Sequence, residues 1–276
     1  MRLRFLALVL ALGALCGCSS VRLAYNHAET LLAWQANSWF DLHGELAEER
    51  DRRIAAFVAW HRANALPQYA RLAEEAARRL ERGLTRADVE WGYEAVFAQL
   101  REAIRAGARE AAPLLDRLSP ENLSHFEARL AEDNRKFARE HVRPKPEERR
   151  RQRLRRMIER LEDWVGELSE AQRERVRRYN ERMPLAGEMR ARERTRLQQE
   201  LLAMLRAREA TLRLADWASR WDRQREPDYA EVVARNRTEL VNMLLELDGT
   251  LSSEQRAAAV ARLRSWAADF ERLMRR

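Results

Sequence analysis

The chain has 276 residues, 35% of them charged, with only 9 Gly and 7 Pro; few breakers among many Ala, Leu, Glu and Arg favour helix. Its net charge of +8 arises from 52 basic and 44 acidic side chains, which raises the question of nucleic acid. Two observations count against that partner: Lys136 and Lys145 are the only lysines, so the excess is an Arg bias among interspersed acids, and the first residues read as an export signal.

Residues 5–15 form an uncharged apolar run of 11 residues behind Arg2 and Arg4. This is well short of the roughly 20 residues that cross a bilayer and fits the apolar region of a secretory signal. Leu15-Cys16-Gly17-Cys18 resembles the bacterial lipobox, with Cys16 an unusual occupant of its position. The resemblance implies a thioether-linked diacylglycerol on Cys18, cleavage before it, and acylation (palmitate) of the new amine. Two or more acyl chains anchor stably where one does not. The alternative is an ordinary secretory signal with an incidental Cys. Cleavage would remove Cys16 and leave Cys18 blocked by lipid, so no disulfide and no Cys-based nucleophile or metal site is expected. Ser19 and Ser20 follow the anchor; without the Asp of inner-membrane retention, resemblance to Gram-negative lipoproteins implies the outer membrane, facing the periplasm. The expected organisation is a signal peptide over residues 1–17 and one all-helical periplasmic domain over 18–276.

After the anchor come Tyr25, Asn26, Trp34, Trp39 and Phe40. They read as a first helix packed on the bundle, with an aromatic surface at the membrane interface as the alternative. Asp41, Glu45, Glu48 and Glu49 follow at helical spacing with His43 beside them. A solvated acidic face is the expectation; a hydrolase built on Asp41 and Glu45 stays as an outsider, since no His-Glu-x-x-His, Gly-rich phosphate loop or Gly-x-Ser-x-Gly is present.

Apolar positions then recur at the helical period: Tyr69, Leu72, Ala76 and Leu80; Val89, Tyr93, Val96, Leu100 and Ile104; Leu123, Phe126, Leu130 and Phe137. Further stripes are Leu154, Met157, Ile158, Leu161, Val165 and Leu168; Tyr229, Val233, Leu240, Leu244 and Leu247; Leu263, Trp266, Phe270 and Leu273. No segment alternates, so the expected fold is all-α, an elongated multi-helix bundle of amphipathic helices. Pro67, Pro113, Pro184 and Pro227 interrupt the periodic runs, and Gly83 and Gly249 sit where left-handed caps would end helices. Arg143-Pro144-Lys145-Pro146 is the strongest break and a candidate hinge at 143–146. Residues 185–225, free of Pro inside, read as one long helix, with Trp217 and Trp221 near its end as core residues.

Between Arg143 and Arg160 nine basic residues face three Glu, a local charge of +6. One reading of Arg149, Arg150, Arg151, Arg153, Arg155 and Arg156 is a solvated helix face whose stems cover apolar surface. The other is contact with anionic phospholipid or lipopolysaccharide.

A motif of Leu, a hydroxyl, two variable residues and a polar side chain occurs four times, starting at Leu84, Leu118, Leu168 and Leu251. Its hydroxyls (Thr85, Ser119, Ser169 and Ser252) are expected N-caps, with Gln172 and Gln255 returning the bond in capping boxes. Unequal spacing rules out a solenoid. The motif resembles the Leu-Thr-x-x-Gln element of the Spy and CpxP periplasmic stress proteins, helical dimers that bind unfolded envelope proteins; on that resemblance four copies in one chain would mimic such a dimer. Cys18 to Asn26, Trp34, Trp39-Phe40-Asp41-Leu42 and the stretch from Leu251 to Arg256 resemble an uncharacterised family of Gram-negative helical lipoproteins, which implies localisation and architecture and no chemistry. The functional expectation is a lipid-anchored envelope protein without enzymatic activity or cofactor. It would bind other envelope proteins in a chaperone-like or stress-related way; the alternative is a structural or assembly scaffold for one defined complex.

Overall fold

The computed structural model describes residues 17–275, with side chains described from residue 22 onward. Residues 1–16 of the expected signal and the side chain of Cys18 lie outside the described residues. Among the described residues there is no strand. Twelve α-helices follow in order: α1 (Gly17–Asn26), α2 (Ala28–Phe40), α3 (Glu45–Trp60), α4 (Leu66–Glu81), α5 (Arg86–Leu115) and α6 (Pro120–His141). The series continues with α7 (Pro146–Val165), α8 (Glu170–Arg182), α9 (Gly187–Arg206), α10 (Ala210–Ser219), α11 (Pro227–Asp248) and α12 (Ser253–Met274). The protein is an all-α multi-helix bundle.

Pro67 does not interrupt its run. Residues 61–65 form a single π-helical turn between α3 and α4, closed by Leu66 N–H donating to the His61 carbonyl. A proline inside an α-helix removes one bond and crowds the preceding turn; the wider turn absorbs both defects, and the helical path continues. Pro113 is likewise carried inside α5, whereas Pro120, Pro146 and Pro227 occupy first-turn positions, where the missing N–H costs nothing.

The expected long helix over 185–225 is broken. α9 ends at Arg206, Arg208 adopts φ +55°, and α10 starts at Ala210. The cause lies elsewhere in the chain: the Asp116 carboxylate accepts from Ala210 N–H (2.7 Å) and Thr211 N–H (2.9 Å), a cap supplied from 94 residues away. Gly249 also departs from expectation, with φ −65°, while Gly83 has the left-handed value of +89°.

Two apolar clusters fill the interior. The larger joins Leu42, Ala108, Ala112, Leu118, Phe126 and Leu130 to Leu201, Met204, Leu205, Leu214 and Ala218. The other joins Leu168, Val176, Tyr179 and Met183 to Met243 and Leu247, under the α7 stripe of Leu154, Met157, Ile158 and Leu161. The chain does break at 142–145, but α9 and α10 return to pack on α6 and α5, and α12 packs most extensively on α4. The segments before and after the Pro pair are therefore interleaved rather than two separate halves.

The α4–α12 contact is antiparallel and built from small residues. Leu66, Ala70, Ala73 and Ala77 are the buried face of α4, and Ala259, Val260, Ala267 and Leu273 that of α12. The stripe of larger residues at Tyr69, Leu72, Ala76 and Leu80 flanks this seam instead of forming it. Val96, expected on the α5 core face, is exposed.

All four motif copies begin helices with both bonds of a capping box, and the third residue of each helix also ties its start to another part of the bundle. Asp88 takes Arg79 (2.8 Å) and Arg82 (3.0 Å) from the end of α4. The Asn122 amide donates to the Phe40 (2.9 Å) and Asp41 (3.0 Å) carbonyls at the end of α2. Gln172 and Gln255 face one another, and each amide nitrogen donates to the other's oxygen (2.9 and 3.1 Å). Each also reaches the carbonyl five residues before its partner: Gln172 to Thr250 (2.9 Å), Gln255 to Glu167 (2.8 Å). The third and fourth copies are thus joined by a local two-fold arrangement, with Gln172 only 1% exposed.

Because each amide satisfies the other, the pair is expected to be coupled. Gln172→Ala or Gln255→Ala alone should cost about 1–3 kcal/mol, the penalty of leaving buried polar groups unmade. The double variant should cost less than the sum by about 1 kcal/mol, read from urea unfolding midpoints; strict additivity would show that the pair carries no shared energy.

Candidate functional site: the N-terminal helices and the grooved face

α1 and α2 form one helical path with a bend at His27, whose φ of −104° departs from helix. Backbone bonds from His27 to Ala24 (3.3 Å) and from Leu31 to His27 (3.0 Å) carry the path through the bend. One side of this path is fastened to the body. Arg22 Nε pairs with Asp269 at 3.3 Å, and that carboxylate is fully buried on α12. Tyr25 Oη and His61 Nδ1 share a hydrogen bond of 3.0 Å. At the far end Trp39 and Phe40 close on Phe126, with ring centroids 5.9 and 4.6 Å apart. Asp41 then turns the chain in the left-handed region (φ 50°), held by the Asn122 amide.

His61 is where the body receives α1. It opens the π turn and lies among the rings of Tyr25, Phe57, Trp60 and Tyr69. Burial pulls the imidazole down to about 4 and pushes Tyr25 and Tyr69 up to about 12. All three are therefore neutral at physiological pH, and the cluster is an aromatic clasp, not a charged site. Nothing in the spacing of the five histidines distinguished His61; its signal was Pro67, which demands a helical irregularity one turn earlier.

The other side of the same path is open. Leu23 is 63%, Leu31 39% and Trp34 66% exposed. The expectation of a first helix packed on the bundle thus holds for Tyr25, Trp39 and Phe40 and fails for Trp34.

The six arginines of the basic segment separate into two sets. Arg153 is turned inward: its guanidinium donates to Asn180 Oδ1 (2.7 Å) and to the carbonyls of Asn180 (2.7 Å), Met183 (2.9 Å) and Pro184 (2.8 Å), capping the end of α8. Arg149 pairs with Glu188 at 2.9 Å and reaches the His141 carbonyl, clamping the break at the Pro pair. Arg150, Arg151, Arg155 and Arg156 are exposed. The six therefore do not form one surface: Arg149 and Arg153 turn the five-donor fork that makes Arg a carbonyl cross-linker onto groups of the bundle itself.

The acidic set does not converge. Asp41 is in the α2–α3 corner against His43 (3.0 Å), and Glu49 is held by Arg52 and Arg53. Among the described residues, no three His, Cys, Asp or Glu are placed to hold a metal ion. Trp217 donates to Glu200 (2.8 Å), and Trp221, in the turn after α10, stacks on Phe97.

Two open grooves flank the α4–α12 seam. The larger, about 790 Å³, is lined by apolar Pro67, Ala70, Leu72, Trp91 and Met274 and by charged Arg71, Glu74, Glu75 and Arg78. Trp91 is fixed there by the Arg79 guanidinium 4.0 Å above its ring. A smaller one of about 600 Å³ is lined by Glu81, Arg256, Val260 and Arg264.

Residues 38–230 match the model of a family of unknown function, DUF6279. The chain belongs to that family. The match starts at the α2–α3 corner and spans the larger apolar cluster, the grooved face as far as Trp91 and Gln99, and the basic segment. No curated protein and no solved structure matches the chain.

Two measurements follow from this geometry. Below pH 6.5 an unfolded His61 binds a proton that the folded one refuses until about 4, so folding stability should fall as pH drops through that window. Between pH 7 and pH 4.5 the parent should lose about 2 kcal/mol more than His61→Phe; equal losses would show that His61 is not buried in neutral form. Arg153→Lys should cost about 1–3 kcal/mol by stranding carbonyls, while Arg155→Gln stays within about 0.5 kcal/mol of the parent, both by urea unfolding.

Proposed function

We propose that this protein is a lipid-anchored envelope protein, held by Cys18 in the outer membrane and facing the periplasm, that acts without catalysis as a scaffold for one defined protein partner. The observation that carries this reading is where the apolar stripes and the motifs go. Both glutamines of the stress-protein-like motif are spent on one another. Among the described residues the exposed large hydrophobics are Leu23, Leu31, Trp34, Val96 and Leu212. A chaperone for unfolded segments works through a broad exposed apolar surface; beyond α1 and α2, the exposed large hydrophobics among the described residues are the isolated Val96 and Leu212, which favours the scaffold reading over the chaperone-like one. The partner's seat is the open groove over Trp91, whose mixed apolar and charged lining fits a protein side chain or helix better than a metabolite. Exposed Arg150, Arg151, Arg155 and Arg156 on α7 fit anionic phospholipid or lipopolysaccharide.

The test is photo-crosslinking in intact cells, with the photoreactive residue at Gln68 in the groove and, as control, at Glu181 on α8. One partner, captured from Gln68 in fixed proportion with and without heat stress, is the expected result. A broad set of envelope proteins that grows under stress would replace the scaffold with the chaperone-like reading.

A further inference from the structure

We infer that the stripe formed by Leu23, Leu31 and Trp34 seats on the lipid bilayer surface, laying α1 and α2 along the membrane beside the anchor. The inference deepens the lipid-anchored reading and rests on it. Positions 23, 27, 31 and 34 fall on one side of the helical path, since residues three and four apart are neighbours. His27 and Thr30 complete this side, which carries no Asp, Glu, Lys or Arg. Glu29, also exposed, projects from the opposite side of α2.

The stripe is not open because the helices are loose. Arg22–Asp269, Tyr25–His61 and the Phe126 contacts hold the reverse face, so the body itself aims these three side chains outward. They span about 16 Å at 1.5 Å per residue, and Cys18 precedes Leu23 by five residues, about one and a half helical turns. Leu and Trp are the residues an interfacial helix buries at the headgroup boundary. No helix among the described residues is long and apolar enough to cross a membrane, so the fitting arrangement is a helix lying on the surface.

Area separates this occupant from a second copy of the chain. A stable protein interface buries about 800 Å² on each partner. Three partly exposed side chains offer a few hundred Å² at most, at about 150–250 Å² for a whole aromatic residue. That is too little to hold a dimer. Next to an acylated Cys18 it is enough to set orientation, because the acyl chains supply the affinity.

The experiment uses the full chain, processed in cells and reconstituted into phosphatidylethanolamine–phosphatidylglycerol vesicles. Nitroxide labels are placed at Leu31→Cys and, separately, at Glu29→Cys, both exposed positions. Intact mass reports the state of Cys18. The expected result is a label at 31 reached several-fold more by oxygen than by a water-soluble nickel complex, with the reverse at 29. Equal access by the nickel complex at both positions overturns the inference, as does protection at 31 accompanied by spin–spin broadening from a second copy. Should the mass show an unmodified Cys18, the anchor reading fails separately. The same labels on a Cys18→Ser chain mixed with vesicles then decide whether the stripe enters lipid: nickel access at 31 equal to that at 29 overturns the inference there too.

Discussion

A helix leaves four N–H groups and four carbonyls without partners at its ends, and a bundle of many helices must satisfy these groups where its chain segments meet. That requirement shapes this protein more than any single apolar contact. Each motif copy satisfies its own N-terminus and then spends the remaining hydrogen bonds of one residue on another part of the bundle. Asn122 closes the carbonyls at the end of α2, Asp88 receives two arginines from α4, and Gln172 and Gln255 complete one another. The Thr85 hydroxyl and amide donate to Asp88 and hold its carboxyl down at about 2, so it keeps its charge wherever the fold is of use. Asp116 and Arg153 do the same work over longer range, at the start of α10 and the end of α8. The Arg bias noted at the outset thus has a structural use: one guanidinium reaches three carbonyls and an amide oxygen at once, which a lysine ammonium with three donors cannot match.

With the ends joined in this way, the middles of the helices can be plain. The α4–α12 seam relies on alanines, which bring two helices close while losing little side-chain entropy. Gly187 marks the tightest point, since a Cβ there would overlap the His141 carbonyl oxygen. The joint at the Pro pair is therefore closed by three helices, α6, α7 and α9, with Arg149 bridging them.

What the amino-acid sequence made legible follows from these devices. Helix starts were readable because capping is local: hydroxyl, two residues, acceptor. The stripes at Phe126, Leu130 and Phe137 and along α7 were readable because large side chains at the helical period have one way to be buried. The α4 face was misread because alanine is counted weakly as apolar, and small residues define a seam only once the partner helix is known. The break at 207–209 had no local signal beyond a gap in periodicity, because its cause is a carboxylate on another element. Pro67 was legible as a disturbance but not as a π turn, since a break and a wider turn are equally valid responses to a missing N–H.

The N-terminal helices α1 and α2 show the same logic applied to the proposed function. A lipid on a flexible tether holds a protein near a membrane and leaves its orientation free. Here α1 and α2 are fixed to the body by an ion pair with a fully buried carboxylate, by the Tyr25–His61 bond and by rings stacked on Phe126. These contacts differ in their response to solution conditions. The clasp is made of groups that are neutral at physiological pH, so salt should not release it, whereas acid below pH 6.5 favours the opened, protonated His61; screening weakens only the partly exposed end of the ion pair. With the proposed lipid on Cys18, a rigid attachment of this kind would turn the direction of the anchor into the direction of the whole bundle. If α1 and α2 lie along the bilayer, the orientation of the grooved face is fixed with them, and a partner bound over Trp91 is held in one attitude toward the membrane. That is the physical requirement for a scaffold, and a loosely tethered body of identical composition would not meet it.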